Sequence, residues 1–440
     1  MTGATATQQE ATQQEATQQE ATQQAAARQE PAHTEQASFR LPLPSGFFQR
    51  RNPFDPAAAL MEQAGRGPVN KIEYAGKTTW LVTGHAEARA VLSDTRFSSD
   101  FRRLVARMDK LTDEQRAEFT SRKSTAGSFI SMDPPEHTRY RKLLTGQFTV
   151  RRMRALEPRV EKIVDDHIDA MLAAGTSADL VPAFALPVPS LVICELLGVP
   201  YESREEFQET TATLLRLDVG FDEVMRQRTR LQEFMRGLIT AKRAEPGEDL
   251  LSGLITDSDL TDDELVNIAN LLLIAGHETT ANMLALGTFA LLEHPDELAA
   301  LRRDPGLADR AVEELLRHLS IIHAGPTRTA TEDIEVGGTR IPAGSAVMVC
   351  VPTANRDEGH WPDPDVLDLS RERGPHLAFG HGVHQCLGQQ LARVEMTIGF
   401  TRLLARLPGL RLDTAASAVP LRTDMGIYGV HSLPVAWDAR

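Results

Sequence analysis

The chain has 440 residues, 41 % of them apolar and 25 % charged, enough for the core of one large domain or two ordinary ones. Its net charge of −14 argues against a nucleic-acid binder, since nothing in it neutralises phosphates in bulk. The three cysteines, Cys194, Cys350 and Cys386, form no C-x-x-C pair and are odd in number, which speaks against a disulfide framework and for a reducing compartment. No basic stretch followed by an apolar one opens the chain, and no run of 18 apolar residues occurs. A cytoplasmic protein with no membrane partner is expected.

In chain order, the first segment is low-complexity. Ala-Thr-Gln-Gln-Glu recurs at Ala6–Glu10, Ala11–Glu15 and Ala16–Glu20 and decays through Ala21–Gln24. Such a tract buries too little to offset its ordering entropy, so residues 1–38 are expected to be a disordered, linker-like tail, with a helical oligomerisation segment as the weaker alternative. The folded part should begin near Pro53-Phe54-Asp55-Pro56. A β region follows, Val69 to Tyr74, a turn at Gly76, then Thr78 to Val82. Beyond Gly84 helical spacing dominates. One such segment runs from Ser190 to Leu197 and stops at Gly198, which makes Cys194 a core residue.

Thr261-Asp262-Asp263-Glu264 has the form of a capping box, so a helix should start there and run without proline to about Glu293, roughly 50 Å. Leu271 to Gly276 is continuously apolar, and the polar run His277-Glu278-Thr279-Thr280 interrupts it. Polar groups in a buried helix are costly unless paired or used. Ala275-Gly276 just before them removes bulk and leaves room for a ligand. On the residues alone, the simplest account has Thr279 bonding back to a carbonyl one turn earlier and Glu278 in a salt bridge. Glu314 and Arg317 share one helical face, and their apolar neighbours Val312, Leu315 and Leu316 suggest a buried pair. A second β-rich stretch covers Thr331 to Val351, with turns at Gly337-Gly338 and Pro342-Ala343-Gly344, and it buries Cys350. With no clean linker after residue 53, the pattern implies one mainly helical domain with small β-sheets.

The informative stretch is Phe379-Gly380-His381-Gly382-Val383-His384-Gln385-Cys386-Leu387-Gly388. A helical stripe follows, Leu391, Val394 and Ile398, so Cys386 stands where a glycine-rich loop enters a helix. Unpaired N–H groups and the helix dipole favour a thiolate there, and the glycines let backbone approach a flat ligand. A thiolate on one axial side with the other side open suits a haem that cleaves an O–O bond. Zinc held by His381, His384 and Cys386 is a second reading that lacks a fourth ligand. A redox-sensing cysteine would not require the glycines, and covalent haem attachment would need C-x-x-C-H.

This stretch matches the pattern F-G-x-G-x-H-x-C-x-G of the cytochrome P-450 superfamily at every fixed position, and the resemblance covers roughly residues 40–440. It implies a single cytochrome P-450 domain over residues 39–440. The implied cofactor is haem b with Cys386 as axial iron ligand, Phe379 and Gly380 beside the sulfur, and His384 on a propionate. Ala275-Gly276-His277-Glu278-Thr279 resembles the A-G-x-[DE]-T oxygen-activation groove, with Glu278 and Thr279 as its acid–alcohol pair. Glu314, Arg317 and Arg371 take the places of a structural E-x-x-R network. His137 and Arg141 match contacts to one propionate, and Arg328 matches the contact to the other.

The resemblance further implies monooxygenase chemistry with O2. Electrons would come from a separate ferredoxin and its NAD(P)H-dependent reductase, since there is no nucleotide fingerprint and only 54 residues follow Cys386. Arg139, Lys142, Arg151, Arg152, Arg154 and Lys162 suggest a docking face for that acidic donor. The substrate pocket is expected from the loop at about 100–130, the region 203–245, Ala275, Ile321 to Ala324, and Met425 to Val430. Bacterial relatives that tailor secondary metabolites point first to a macrolide or related polyketide, and second to a terpenoid or steroid. A haem-thiolate gas or redox sensor is the rival from another class.

Overall fold

The computed structural model describes residues 44–439 apart from 75, 76, 107–110, 122–124 and 324. The expected tail over residues 1–38, its boundary, the turn at Gly76 and the pocket residue Ala324 therefore lie outside the described residues. The protein is mainly helical with small sheets, as the spacing implied.

Seven helices position the site: α1 (Glu136–Thr145), α2 (Glu157–Ala174), α3 (Pro187–Leu197), α4 (Phe221–Ala244), α5 (Asp262–Glu293), α6 (Ala308–Leu319) and α7 (Gln389–Arg406). The capping box starts α5 as expected. Thr261 Oγ1 accepts from the Glu264 N–H, and Glu264 Oε2 accepts from the Thr261 N–H at 2.8 Å. The helix holds 32 residues, about 48 Å, and is buried on nearly every side against α3, α4, α6 and α7. It is the spine of the molecule. Gly198, in the left-handed conformation at φ 65°, ends α3 where the sequence places the stop, and Cys194 is buried within that helix. Among the described residues no helix is long and apolar enough to cross a membrane.

The strands are β1 (Val69–Tyr74), β2 (Lys77–Val82), β3 (Phe97–Ser98), β4 (Ser177–Asp179), β5 (Thr327–Ala330), β6 (Ile334–Val336), β7 (Thr339–Ile341), β8 (Ala346–Val349), β9 (Arg411–Leu412) and β10 (Pro434–Ala436). The main sheet has the order β1-β2-β8-β5-β3. β2 and β8 run parallel, with Thr79 opposite Ala346 and Val82 opposite Val349, while the other neighbours are antiparallel. All four residues of β8 are buried, as befits a central strand covered on both faces. The β-rich stretch opens earlier than expected, at Thr327, and closes at Val349, because Val351 begins a short helix. Cys350 is fully buried at that junction.

Glu264 also ties α1 to the start of α5: its Oε1 accepts from Arg139 Nη1 at 2.6 Å and from Tyr140 Oη at 2.7 Å. Burial alone would raise this carboxyl. The bonds from Tyr140, Thr261 and Arg139 outweigh it and hold the group down at about 2. A carboxylate depressed in the folded state stabilises the fold above its unfolded value of 4.5 and loses that contribution as pH falls towards 2. Glu264→Gln is therefore expected to flatten the pH dependence of unfolding free energy between those values, by at most on the order of 3 kcal/mol, measured by denaturant titration at stepped pH.

Candidate active site

The loop before α7 is folded by its glycines. Gly380 and Gly382 have φ of 69° and 75°, and a Cβ on Gly382 would stand 2.4 Å from the Leu92 carbonyl oxygen. The turn closes through Cys386 N–H, which donates to Phe379 O at 2.8 Å. Cys386 lies three residues ahead of α7, and the Gly388 and Gln389 N–H groups bond to its sulfur. Burial raises the thiol, and those donors, with Arg141 and Arg393, only partly oppose it. The expected helix-start donors are present, and burial works against the thiolate that they favour. The side chain is accessible because it opens onto an internal cavity of about 440 Å³.

Lining that cavity with the cysteine are Ala275, Thr279 and Thr280 of α5, Ile321 and Ile322 from the turn after α6, and Leu391 and Glu395 from α7. Thr279 Oγ1 donates to Ala275 O at 2.9 Å, the back-bond foreseen from the sequence. Gly276 serves packing more than ligand space, since a Cβ there would meet Ile193 Cδ1 at 2.8 Å. Glu278 does not join Thr279 at this cavity. It is buried on another side of α5, where Arg422 Nη2 lies 3.1 Å from its Oε2, and it lines a separate cavity of about 600 Å³ with Asp424 and His431. Met425 and Val430 belong to that second space, contrary to their expected place in the substrate pocket. Phe101, Phe119, Leu214, Leu215, Val224 and Leu231, from the two long segments expected to line the pocket, surround a chamber of about 310 Å³. Leu271 lines both this chamber and the cysteine cavity.

Sequence reasoning missed Glu395. It is 1 % exposed, Thr280 bonds to it, its Oε2 has no partner among the described residues, and burial pushes its carboxyl well up, which favours the neutral acid in the cavity wall. The only available signal was its spacing nine residues after Cys386, which carries no physical message by itself.

At the cavity rim the predicted nitrogen groups converge. The His137 and His384 rings lie 4.2 Å apart, and Arg141 Nη2 donates to Gln385 O. Arg328 is buried and donates to Thr327 O at 3.0 Å. Burial, then the neighbouring His137, Arg328 and Arg141, pushes His384 down to about 3, and burial also lowers His137. Both imidazoles are therefore neutral, and neither His137 nitrogen has a partner among the described residues although the residue is 2 % exposed. The nearby Asp133 is occupied: Ser98 Oγ and Ser99 N–H donate to it. Two guanidinium charges and the unpartnered His137 ring thus meet at one edge of the cavity, a donor set that suits an anionic ligand.

Behind the loop, Arg317 donates to Glu314 from Nε at 2.7 Å and Nη2 at 2.8 Å, and Arg371 Nε donates to Glu314 Oε1 at 3.1 Å. The three predicted members of the network are thus in contact. No group of three or more His, Cys, Asp or Glu is placed to hold a metal ion among the described residues, which removes the zinc alternative at His381, His384 and Cys386.

A family model described as cytochrome P-450 matches residues 306–409. The chain is 50 % identical over 393 residues to cytochrome P-450 105C1 of a Streptomyces species, spanning 88 % of this chain and 97 % of that one. Among solved structures, Rif16 superposes with a TM-score of 0.78 at 56 % identity, covering 90 % of this chain and 100 % of that one. CYP105P1 in complex with filipin I does so with 0.83 at 44 %, covering 89 % and 98 %. The chain belongs to the cytochrome P-450 family.

As a cytochrome P-450 monooxygenase, the protein uses haem iron bound by a cysteine thiolate, and O2. Its residues fit that group. The slot between α5 and the cysteine loop is apolar, the Cys386 side chain opens into it, and the Arg141 and Arg328 guanidiniums lie close to His384 at its edge, cations of the kind that suit a group carrying carboxylates. Of the basic cluster, Arg139 is paired with Glu264 and Asp259, and Lys162 with Asp166, whereas Lys142, Arg151, Arg152 and Arg154 are exposed around Val150.

Replacing Glu314 with Ala leaves the buried Arg317 without its anion. The expected cost is about 3–5 kcal/mol, read as a lower denaturant midpoint together with reduced haem retention.

Proposed function

We propose that this cytochrome P-450 inserts one oxygen atom from O2 into a bulky lipophilic secondary metabolite, a macrolide or related polyketide, giving a hydroxyl or an epoxide. The observation that carries this reading is a pair of spaces that share Leu271 in their walls: a cavity walled by Cys386 and Thr279, and a largely apolar chamber of about 310 Å³. The neighbour that holds filipin I lends support to a substrate of that size class. A gas or redox sensor would need neither Thr279 nor the chamber.

In this reading Cys386 would hold the haem iron, with Phe379, Gly380 and Ala275 beside the group. His137 and Arg141 would bind one propionate, and Arg328 and His384 would serve the other side of the rim. Bound haem supplies the oxygen-activating chemistry, to which the thiolate contributes electron density. Thr279 can exchange its bond to Ala275 O for one to a water in the cavity, and so hold and pass a proton there. Glu278 takes its proton from the Asp424 and His431 side and must leave Arg422 to hand it over. Electrons arrive from a separate acidic ferredoxin, reduced by an NAD(P)H-dependent reductase, at the face formed by Lys142, Arg151, Arg152 and Arg154.

The deciding experiment is the spectrum of reduced, haem-loaded protein with carbon monoxide, whose band position would report a thiolate on the iron. The band should be present in the parent and absent in Cys386→Ser, and an unchanged band and turnover in that variant would sink the assignment. Thr279→Ala should lower product formed per reductant consumed by roughly 10²-fold with substrate affinity retained. Converting Arg152 and Arg154 to Glu should slow reduction by ferredoxin without changing substrate binding. A spin-state binding screen of macrolides against terpenoids and steroids tests the substrate class.

A further inference from the structure

Arg393 of α7 makes a contact that the chemistry above leaves unused. Its guanidinium lies 4.5 Å from the centroid of the Phe379 ring. Phe379 is the residue whose carbonyl accepts the Cys386 N–H. Arg393 is locked in place: Nε donates to Glu313 Oε1 at 2.5 Å and Nη2 to Glu313 Oε2 at 3.1 Å, a two-point ion pair from α6 to α7. Glu313 is in turn clamped. His376 Nδ1 accepts from the Ala378 N–H at 3.2 Å, so its other nitrogen carries the hydrogen and donates to Glu313 Oε2 at 3.0 Å. The three side chains are 26 %, 12 % and 4 % exposed for Arg393, Glu313 and His376, so water screens the pair only in part. Glu313 is an anion throughout the neutral range, held at about 2 because the bonds from His376 and Arg393 outweigh its burial.

We propose that Arg393 and Glu313 form a fixed electrostatic bias on the Cys386–iron bond, with Arg393 raising the reduction potential of the iron and Glu313 offsetting it. The inference rests on Cys386 being the iron's ligand. Reduction adds one electron to the iron from an external donor and neither makes nor breaks a bond in the pair. The added negative charge is favoured by a nearby cation and disfavoured by a nearby carboxylate. Arg393 is a positioning residue in this scheme: it acts through the Phe379 ring and the thiolate and touches no substrate.

The test is a spectroelectrochemical titration of the haem-loaded full chain, with dithionite as reductant and mediator dyes. Arg393→Met should lower the potential and Glu313→Gln should raise it, with the double variant returning towards the parent and Arg393→Lys staying near it. Equal potentials in all variants, or shifts of one sign in both single variants, would overturn the proposal. Should Arg393→Met fail to retain haem, Glu313→Gln alone must still raise the potential, and an unchanged value there rejects the idea. The reduced carbon-monoxide spectrum of the parent separates the two levels. A missing thiolate band removes the ligand assignment and this inference together, whereas a normal band with unmoved potentials removes this inference alone.

Discussion

One guanidinium taken out of water organises the iron-binding end of the molecule. Arg317 is 1 % exposed, and besides Glu314 its Nη1 donates to Asn355 O at 2.8 Å and Pro364 O at 2.9 Å. A buried ion pair adds little net stability, because desolvation consumes most of its Coulomb gain. Its value here is geometric, since it gathers carbonyls from an irregular stretch that has no ladder of its own. Asn355 then passes the constraint in two directions. Its Oδ1 accepts from the Leu377 N–H at 2.7 Å, at the entry of the cysteine loop, and its Nδ2 donates to Ser320 Oγ at 2.9 Å. Ser320 sits at φ 42° and turns the chain towards Ile321 and Ile322 in the opposite wall. Arg50 reinforces that turn by donating to Leu319 O and Ser320 O. Both walls of the cavity therefore share one anchor.

α5 solves a second problem, that of carrying polar groups through a core. His277 bonds back to Leu273 O through Nδ1 and across to Thr211 through Nε2, Thr279 bonds back to Ala275 O, and Asn282 bonds back to Glu278 O. Each satisfies a side chain that would otherwise be costly to bury. Successive residues on a helix point about 100° apart, so Glu278 and Thr279 face different spaces although they are adjacent in sequence. An acid and an alcohol placed this way open onto different spaces on either side of one helix.

Features whose physics is local were legible in the sequence. The capping box at Thr261, the glycine stop at Gly198, the burial of Cys194 and Cys350, and the i,i+3 pair of Glu314 and Arg317 all depend on residues within one or two turns. The gathering of His137, Arg141, Arg328 and His384 was legible only through the family pattern, since three separate segments supply them. What remained hidden depends on orientation. Helical spacing did not show that Glu278 turns towards Arg422, that Gly276 yields to Ile193, or that Met425 and Val430 belong to the space behind α5. Glu395 was hidden for the same reason: an isolated acid in a helix reads as a solvated face until packing shows it buried. Arg139 and Lys162 looked like members of a free basic patch until their carboxylate partners, far along the chain or on the outer face, came into view.

The rim of the cavity shows how closely the cofactor and the fold depend on each other. Arg141 and Arg328 are brought into a partly desolvated space whose nearest carboxylate, Asp133, is already engaged by Ser98 and Ser99. Two like charges and two neutral imidazoles in such a place oppose folding in the protein alone. The same groups favour a ligand that brings two carboxylates on an apolar disc, and the Cys386 thiol favours one that brings a cation. A group that relieves all of these costs binds the folded chain and has no equivalent site on the unfolded one, so its binding free energy is added to the stability of the fold. Relief of the cost at the rim is thus one contribution to the affinity of the site, and it is the part that the fold itself supplies.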